Sequence, residues 1–474
     1  MPKVHFIGIC GVGMSGVAKL LMDQGWEVSG SDEGFYPPIS DYLKEYAIPC
    51  SSPHAPENIP ADADLIVIGK HAKLVPETNA EVKAAFESGI PVKSYPEVLS
   101  GLTENTHAVV VAGSFGKSTC TTMLAWILQH AGKDPSYFVG ALSPSLETNA
   151  RSGKGPDFIL EGDEYPAANW DERSKFMFYH PRSVLLTSCE HDHLNVYPNL
   201  ESYLQPFIGF LKIIPEDGLL VSCLEGENVA EVLQQGNSPA KQVSYSFNNS
   251  EADWWAENVQ RTDWGIQFTL VEKGTEVGQI QSQLLGDHNI QNIVGVAALL
   301  LTKKLVTIAE LQAALAQFKG VHRRMELKTE NTSIPVYEDF GSSRPKALAG
   351  LQTVRQQFPD KRMIVLFEPH TFSLRNRAAL PWYDDLFEKA DLVIIHQPPQ
   401  HGSGSHDQLS LEEIVERVVA SGKETRGVHS KAELLEAVLP ELKANQDVIL
   451  LETSGDLGGA IPELVSYVQE HFRS

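Results

Sequence analysis

The chain has 474 residues, of which 42% are hydrophobic. A chain of this length is too long for one hydrophobic core, so we expect two or three domains. Its 38 Lys and Arg against 61 Asp and Glu give a formal net charge of −23, which excludes a broad surface for nucleic acid or an anionic membrane, because both need clustered cations. The chain begins with a strand-like run and contains no apolar run of membrane length, so we expect a cytoplasmic protein.

Strand-like and helix-like runs alternate along nearly the whole chain, which predicts α/β domains with parallel sheets. The first block, residues 1–104, has the pattern of a Rossmann-like mononucleotide-binding half and ends in a polar linker at 102–107. Its predicted strands span 4–8, 27–30 and 64–68, and its predicted helices span 14–24 and 79–88.

A glycine-rich turn, Gly8 to Gly16, follows the first predicted strand, and Asp32 follows the second. In dinucleotide-binding folds such a turn approaches a pyrophosphate, and the acidic residue binds a ribose hydroxyl. The pattern by itself fits NAD, UDP or FAD. An NAD-dependent oxidoreductase stays open as an alternative, although the block ends before a second mononucleotide half and a phosphate loop follows directly.

The second block, residues 105–320, begins with an apolar strand at 108–112. Directly after it come Gly113-Ser114-Phe115-Gly116-Lys117-Ser118-Thr119 and a helix predicted at 121–130. Glycines let the loop amides turn toward phosphate oxygens, and the helix N-terminus adds partial positive charge. Lys117 would reach the β- and γ-phosphates, and the Ser118 hydroxyl would help to hold Mg²⁺. The strand, loop and helix together predict a site for ATP.

Acidic side chains and imidazoles follow the next two predicted strands, 158–161 and 184–187. The first strand leads into Glu161-Gly162-Asp163-Glu164, and the second leads into Glu190-His191-Asp192-His193. The carboxyl ends of neighbouring parallel strands face one crevice, which here would also contain the phosphate loop. Mg²⁺ prefers oxygen ligands, so these residues are candidates for a metal site, with solvated loop charges as the alternative. A β-rich stretch at 242–285 and a helix at 290–301 complete the block.

The third block, residues 321–474, alternates again and is expected to form another α/β domain. Its predicted strands span 335–339, 363–367, 392–395 and 447–451, and its predicted helices span 345–357, 411–420 and 431–439. Polar turns lie at 286–292, 322–326 and 339–345. By composition they are only helix starts and turns, and helix capping explains a residue such as Asn289 equally well.

Taken in order, these motifs resemble the Mur ligase family of peptidoglycan assembly over essentially the whole chain. The stretches that carry the resemblance are the glycine-rich turn, the phosphate loop, Ser29-Gly30-Ser31-Asp32, Tyr36-Pro37-Pro38, Asp163-Glu164-Tyr165, Arg173-Ser174-Lys175-Phe176, Glu368-Pro369 and Gln397-Pro398. The resemblance implies three α/β domains: a Rossmann-like N-terminal domain that binds UDP, a central P-loop domain that binds ATP, and a Rossmann-like C-terminal domain that binds the amine and closes over the nucleotide.

The resemblance also implies roles for individual residues. Those expected to bind ATP are Gly113, Ser114, Gly116, Lys117, Ser118, Thr119, His288, Asn292, Arg324 and Asp339. Those expected to bind UDP are Gly11, Gly13, Met14, Ser15 and Asp32. The implied catalytic residues are Lys117, Glu164, His193 and Arg324, and the implied ligands of two Mg²⁺ ions are Ser118, Glu164 and His193.

The reaction implied by the resemblance is ATP-dependent formation of an amide. ATP would convert the carboxylate of UDP-N-acetylmuramate to an acyl-phosphate, which the incoming amine attacks. The motifs favour a murein peptide, L-Ala-γ-D-Glu-meso-diaminopimelate, as the amine in peptidoglycan recycling, and the alternative is L-alanine in peptidoglycan biosynthesis. A ligase-like binding protein that has lost its chemistry is a further hypothesis. We expect a monomer or weak dimer with no nucleic-acid or membrane partner.

Two positions depart from the family members that this chain resembles. Those proteins carry His where Phe115 stands in the phosphate loop, and they carry a His-His-Pro turn where this chain has Ser342-Ser343-Arg344-Pro345. Both positions would flank the nucleotide and the acceptor carboxylate. Arg344 is a candidate replacement for a lost hydrogen-bond donor.

Overall fold

The computed structural model describes residues 1–36, 39–193, 196–262, 265–399 and 407–474. Pro37 and Pro38, which belong to one of the motifs quoted above, lie outside these ranges. The chain divides into two units, of which the larger comprises Met1–Gln260, Ile266–Gln283 and His288–Gly320. The smaller unit comprises Arg261–Gly265, Leu284–Asp287 and Val321–Ser474. Across the described ranges, no helix is both long and apolar enough to span a membrane.

The first sheet lies at the start of the larger unit and has five parallel strands. They are β1 (Lys3–Ile7), β2 (Glu27–Ser31), β3 (Cys50–Ser51), β4 (Leu65–Ile68) and β5 (Val92–Lys93). Their order in the sheet is β3-β2-β1-β4-β5. The helices of this part are α1 (Val12–Asp23), α2 (Ile39–Glu45), α3 (Ala80–Glu87) and α4 (Tyr95–Thr103). Every side chain of β4 is buried, as expected for an inner strand of a parallel sheet covered on both faces.

The second sheet, also in the larger unit, has ten strands in the order β15-β14-β13-β12-β11-β10-β6-β9-β7-β8. They are β6 (His107–Ala112), β7 (Ser136–Phe138), β8 (Ala150–Arg151), β9 (Asp157–Glu161), β10 (Ser183–Leu186), β11 (Leu219–Cys223), β12 (Lys241–Tyr245), β13 (Trp254–Thr262), β14 (Gly265–Glu272) and β15 (Thr275–Ser282). The helices are α5 (Lys117–His130), α6 (Leu200–Lys212), α7 (Val229–Gly236), α8 (Asp287–Thr302) and α9 (Ile308–Leu315). The centre of the sheet is parallel, and antiparallel pairs β14–β15 and β7–β8 lie toward its two edges.

The register of three central strands brings the predicted site together. β6 lies between β9 and β10 and is parallel to both. Ala112 at the end of β6 is paired with Leu186 of β10, and Val111 is paired with Glu161 of β9. The three strands therefore end at the same edge, where the phosphate loop meets the segments that follow β9 and β10.

The third sheet lies in the smaller unit and has six strands in the order β16-β17-β21-β18-β19-β20. They are β16 (Glu326–Leu327), β17 (Val336–Asp339), β18 (Arg362–Glu368), β19 (Leu392–His396), β20 (Glu424–Val428) and β21 (Asp447–Thr453). The helices are α10 (Arg344–Gln357), α11 (Phe372–Arg375), α12 (Leu411–Ala420), α13 (Lys431–Val438) and α14 (Ile461–His471). All pairs are parallel except β16–β17.

The α/β class and the parallel sheets predicted from the sequence are confirmed, and most predicted elements differ from the observed ones by a few residues at their ends. The linker predicted at 102–107 is wrong in part, because α4 continues to Thr103 and β6 begins at His107. A capping box between Ser94 and Glu97 stabilises the start of α4, and buried Leu99 and Thr103 stabilise its later turns, so the helix extends into this polar stretch. The domain bounds 1–104, 105–320 and 321–474 stay a prediction.

Candidate active site

The phosphate loop connects β6 to α5, and its shape depends on two glycines. Gly113 has φ +136° and Gly116 has φ +80°, a region of backbone conformation that residues with a side chain rarely adopt. A Cβ atom on Gly113 would overlap the Thr187 hydroxyl, and one on Gly116 would lie 2.6 Å from Asn292 Oδ1. The loop therefore packs too closely against its neighbours to accept a side chain at either position.

The segment that follows β10 holds the rest of the loop in place. The Ser114 amide donates to the Ser188 carbonyl at 2.9 Å, and the Phe115 amide donates to the Ser188 hydroxyl at 3.3 Å. The Thr187 hydroxyl donates to the Phe115 carbonyl at 2.6 Å. Thr119, the last residue of the predicted motif, is half-buried in the first turn of α5. These bonds fix the loop backbone and occupy the Ser114 and Phe115 amides, so phosphate binding by amides would rely on the loop residues after Phe115.

Lys117, the first residue of α5, is held by an ion pair. Its Nζ donates to Glu164 Oε2 at 3.0 Å and to the Gly113 carbonyl at 2.5 Å. The Lys117 side chain is 15% exposed, whereas the Glu164 side chain is fully buried. Burial lowers the pKa of Lys117, but the negative charges of Glu164, Asp163 and Glu161 together outweigh burial and raise this pKa above its ordinary value. Lys117 is therefore a cation fixed beside the loop.

Glu164 links Lys117 to two further side chains. Its Oε1 lies 3.1 Å from His193 Nε2 and accepts from the Tyr203 hydroxyl at 3.4 Å. Burial raises the pKa of Glu164, but the Lys117 charge and the hydrogen bond from His193 outweigh burial and lower it. The carboxylate is thus ionised and paired. The structure brings together Lys117, Glu164 and His193, three of the four residues predicted to be catalytic.

Glu161, at the end of β9, contacts another predicted metal ligand. It accepts from the Ser118 hydroxyl at 2.9 Å and from the Gly140 amide at 2.8 Å. Burial raises the pKa of Glu161. The sequence includes Glu161 in the acidic run proposed as a candidate metal site, but the residues implied as Mg²⁺ ligands do not include it. The signal that identifies it is the run of carboxylates that begins where β9 ends.

The donors around the loop fit a Mg²⁺ ion that is shared with phosphate. No three His, Cys, Asp or Glu side chains within the described ranges form a group that could hold a metal ion alone. Ser118, Glu161 and Glu164 nevertheless offer hydroxyl and carboxylate oxygens, the donor type that Mg²⁺ prefers. Mg²⁺ is commonly held by one or two carboxylates and completes its shell with substrate phosphates and water.

A second cation–carboxylate pair lies next to the first and was not predicted. Lys175 Nζ donates to Asp163 Oδ2 at 2.6 Å. Burial raises the pKa of Asp163, but the charges of Lys175 and Lys117 outweigh burial and lower it. Lys175 Nζ also lies 5.4 Å from the ring centre of Tyr95 and 5.7 Å from that of Tyr165. The stretch 173–176, quoted above only for its resemblance, thus contributes a charged side chain to this edge of the sheet.

Asn292 and His288, both predicted to lie near adenine, are one turn apart on α8. Asn292 is buried, its Nδ2 donates to Asn289 Oδ1 at 3.2 Å, and its Oδ1 faces Gly116 of the phosphate loop. His288 is exposed and lies on the same face of the helix, because residues four apart face the same side. The structure therefore places Asn292 against the loop and His288 at the surface, and their contact with adenine stays a prediction.

The residues predicted to bind UDP lie on the first glycine-rich turn, in α1 and after β2: Gly11, Gly13, Met14, Ser15 and Asp32. Asp32 Oδ2 accepts from the Cys10 amide at 2.8 Å, so this carboxylate shapes the turn. The Ser15 hydroxyl donates to the Gly11 carbonyl at 3.1 Å, and the side chains of Ser15 and Met14 are buried. The Ser15 and Met14 side chains therefore serve the helix, and their contact with UDP stays a prediction.

Arg324 and Asp339, the other predicted nucleotide residues, belong to the smaller unit. The Arg324 guanidinium lies 4.6 Å from the ring centre of Phe340. Asp339 ends β17, and its Oδ1 accepts from the Met325 amide at 3.0 Å. Within this unit the turn around Arg324 is thus fastened to the end of β17. Contact of either residue with the nucleotide stays a prediction.

The turn that departs from the family pattern, 342–345, begins α10 in the smaller unit. Arg344 Nη2 donates to both oxygens of Asp385, at 2.8 and 2.6 Å. The Ser342 carbonyl accepts from the Thr371 hydroxyl at 2.7 Å. Arg344 is therefore engaged in a two-oxygen ion pair with Asp385, and its use as a substitute donor would require breaking that pair.

Comparison with known proteins identifies the family. A model of the Mur ligase middle domain matches residues 111–300, and a model of the Mur ligase family catalytic domain matches residues 3–107. The chain is 32% identical over 457 residues to the UDP-N-acetylmuramate–L-alanine ligase of Desulfosudis oleivorans, and the match covers 96% of each chain. It is 30% identical over 403 residues to the UDP-N-acetylmuramate–L-alanyl-γ-D-glutamyl-meso-2,6-diaminoheptandioate ligase of Haemophilus influenzae, covering 84% of this chain and 86% of that one.

A solved structure gives the same result for the fold. The UDP-N-acetylmuramate–alanine ligase of Thermotoga maritima matches with a TM-score of 0.80 at 25% identity, covering 99% of this chain and 100% of the other. These matches extend over nearly the whole chain and agree with the three sheets and the phosphate loop described above. The chain belongs to the Mur ligase family and is an ATP-dependent ligase that forms a carbon–nitrogen bond.

Proposed function

We propose that this chain joins the carboxylate of UDP-N-acetylmuramate to the amine of L-alanine in peptidoglycan biosynthesis, with conversion of ATP to ADP and phosphate. The observation that best supports the chemistry is the contact of buried Glu164 with both Lys117 and His193 beside the phosphate loop. L-alanine is supported as the acceptor by a relative named for it, which matches over 96% of both chains.

The choice of acceptor corrects the expectation from the sequence. The motifs favour a murein peptide, whereas the relatives that match over most of their length are named mainly for L-alanine. The murein peptide is the second candidate, supported by 30% identity to the Haemophilus influenzae ligase named for that peptide.

In the first step the loop amides and Lys117 bind the β- and γ-phosphates of ATP. A carboxylate oxygen of UDP-N-acetylmuramate attacks the γ-phosphorus, the bond to the β–γ bridging oxygen breaks, and ADP leaves. The charged Lys117, anchored by Glu164, offsets negative charge on the transferring phosphoryl group. Two Mg²⁺ ions, with Ser118, Glu164 and His193 as candidate ligands, would supply further positive charge at the phosphates.

In the second step the amine attacks the carbonyl carbon of the acyl-phosphate. The bond from this carbon to the phosphate oxygen breaks, phosphate leaves, and the nitrogen gives up one proton to water or to the departing phosphate. An acyl-phosphate reacts readily with water, so its site must exclude water until the amine arrives. Arg324 and Asp339 are the candidates for nucleotide binding on the smaller unit, and His288 and Asn292 are the candidates near adenine.

The proposal includes the domain roles. Residues 1–104 would bind the UDP moiety through the turn that contains Gly11, Gly13 and Asp32. Residues 105–320 would bind ATP, and residues 321–474 would bind the amine. We further propose that the enzyme acts in the cytoplasm as a monomer or weak dimer.

A phosphate-release assay tests the proposal. Purified protein is given ATP, Mg²⁺ and UDP-N-acetylmuramate, together with L-alanine, L-serine, glycine or the diaminopimelate tripeptide. We expect release that requires both UDP-N-acetylmuramate and L-alanine and that is lost in Lys117→Met. Turnover with the tripeptide alone would establish the second candidate. No turnover with any of the four amines would contradict the proposed reaction.

A further inference from the structure

Glu452 is a fully buried carboxylate on β21, in the centre of the third sheet. Its register neighbour on β17 is Asp339, and its neighbour on β18 is Phe367. Register neighbours in a sheet point to the same face, so the two carboxylates lie side by side. Two like charges at directly neighbouring positions repel each other, so this arrangement needs a physical explanation.

Two glycines make the space that Glu452 occupies. A Cβ atom on Gly350, in α10, would overlap Glu452 Oε1 and would lie 3.0 Å from Asp339 Oδ2. A Cβ atom on Gly341 would overlap Glu452 Oε2. The Glu452 carboxyl group therefore fits closely between α10 and the turn after β17, and its Oε1 and Asp339 Oδ2 both lie beside Gly350.

Neither oxygen of Glu452 has a hydrogen-bond partner among the described residues. A buried ionised carboxylate without a partner is strongly unfavourable, and such a group becomes neutral instead. Burial raises the pKa of Glu452 well above its ordinary value, the Asp339 charge raises it further, and the Arg324 charge opposes both effects without cancelling them. Asp339 and Arg324 are the charged groups that act on Glu452.

Asp339 is the residue that a neutral Glu452 can bind. Asp339 Oδ1 accepts from the Met325 amide at 3.0 Å, and its Oδ2 lies beside Gly350, as Glu452 Oε1 does. We propose that Glu452 is a positioning residue that carries a proton and shares it with Asp339 Oδ2, so that the Asp339 carboxylate is held in the orientation that nucleotide binding requires. The inference rests on the proposed role of Asp339 at the nucleotide.

The shared proton also connects Glu452 to Arg324. Asp339 fastens the turn at Met325, and Arg324 in the same turn lies over Phe340, the residue after Asp339. Fixing both oxygens of Asp339 fixes this turn. Glu452 therefore acts on the nucleotide only through Asp339 and Arg324, and it touches no reacting atom.

Two variants with side chains of nearly equal size distinguish the effect of the hydrogen bond that Glu452 donates from the effect of its packing. Glu452→Gln keeps a neutral hydrogen-bond donor toward Asp339, and Glu452→Met keeps the length but has no donor. In steady-state assays we expect Glu452→Met to raise the KM for ATP about tenfold, the loss typical for a hydrogen bond to a charged group, with kcat little changed. Glu452→Gln should stay within about twofold of the unmodified protein, because its donor is retained. Equal KM values in both variants, whether raised or not, would overturn the proposal.

A second measurement does not depend on ligase activity. At neutral pH, the infrared difference spectrum of the unmodified protein minus Glu452→Gln should contain the carbonyl band of a protonated carboxylic acid. In Asp339→Asn the band should remain and shift, because its hydrogen-bond acceptor has lost its charge. Absence of the band, or a band that Asp339→Asn leaves unshifted, would overturn the shared proton. If the protein showed no ligase turnover, the proposed function would fail while this test still decided the state of Glu452.

Discussion

The ion pair between Lys117 and Glu164 allows stability and catalysis to be separated by a double-mutant cycle. Lys117→Met leaves Glu164 fully buried without its cation, and removing one partner of a buried pair typically costs about 3–5 kcal/mol. His193 still lies 3.1 Å from Glu164 Oε1, so we expect the lower end, about 3 kcal/mol in the free energy of unfolding. Lys117→Met/Glu164→Gln removes the orphaned charge and should recover most of this loss.

Activity should respond differently from stability. Removing a charged donor at the transferring phosphate typically costs at least about a hundredfold in rate, so both Lys117→Met and the double variant should lose that much. Urea unfolding followed by tryptophan fluorescence measures stability, and phosphate release measures the rate. A double variant that regained turnover, or a Lys117→Met protein as stable as the unmodified one, would refute the reasoning.

Two further variants test the loop and the N-terminal domain. Gly116→Ala places a Cβ atom 2.6 Å from Asn292 Oδ1 at a φ of +80°, and we expect the affinity for ATP, measured by calorimetry, to fall about tenfold. Gly132→Ala is the control, because Gly132 has a similar φ of +69° but open space around it. The control should incur only about 1–3 kcal/mol of backbone strain and keep its affinity for ATP. Burial raises the pKa of buried Glu81, but hydrogen bonds from His5, His54 and Ser31 outweigh burial and lower it from 4.5 to about 2. The ionised Glu81 carboxylate therefore stabilises the fold above pH 4.5 by about 3 kcal/mol, and this stabilisation is lost as the pH falls toward 2. In Glu81→Gln, the free energy of unfolding should therefore depend less on pH over this range. Unchanged affinity in Gly116→Ala, or an unchanged acid slope in Glu81→Gln, would contradict these expectations.

Much of the fold follows from local patterns. The apolar run of β6 followed by two glycines and Lys117 predicts a strand, a loop and a helix, and the structure contains them in that order. Helix α6 is not among the predicted elements, and Pro206 lies inside it, a residue that usually interrupts a helix. It forms because Asn199 caps its first turn and because Tyr203, Phe207 and Phe210 are buried.

The site is predictable to a lesser degree. Lys117, Glu164 and His193 can be placed together from sequence, because they follow parallel strands whose carboxyl ends share one edge. The hydrogen bonds that join Thr187 and Ser188 to the loop cannot be predicted from sequence, because they depend on the register of β10 against β6. Glu452 is the clearest case of a residue that the sequence does not identify. A Glu at the end of an apolar strand is normally interpreted as a surface charge, and only the register with Asp339 shows its position.

The central claim is that ATP activates a carboxylate by forming an acyl-phosphate, and isotope transfer tests it directly. UDP-N-acetylmuramate labelled with ¹⁸O in its carboxylate is turned over with ATP and the accepted amine, and the released phosphate is analysed by mass spectrometry. If the carboxylate attacks the γ-phosphorus, one labelled oxygen is carried into each phosphate. Phosphate that contains no ¹⁸O, released at the same rate as the amide forms, would contradict the account.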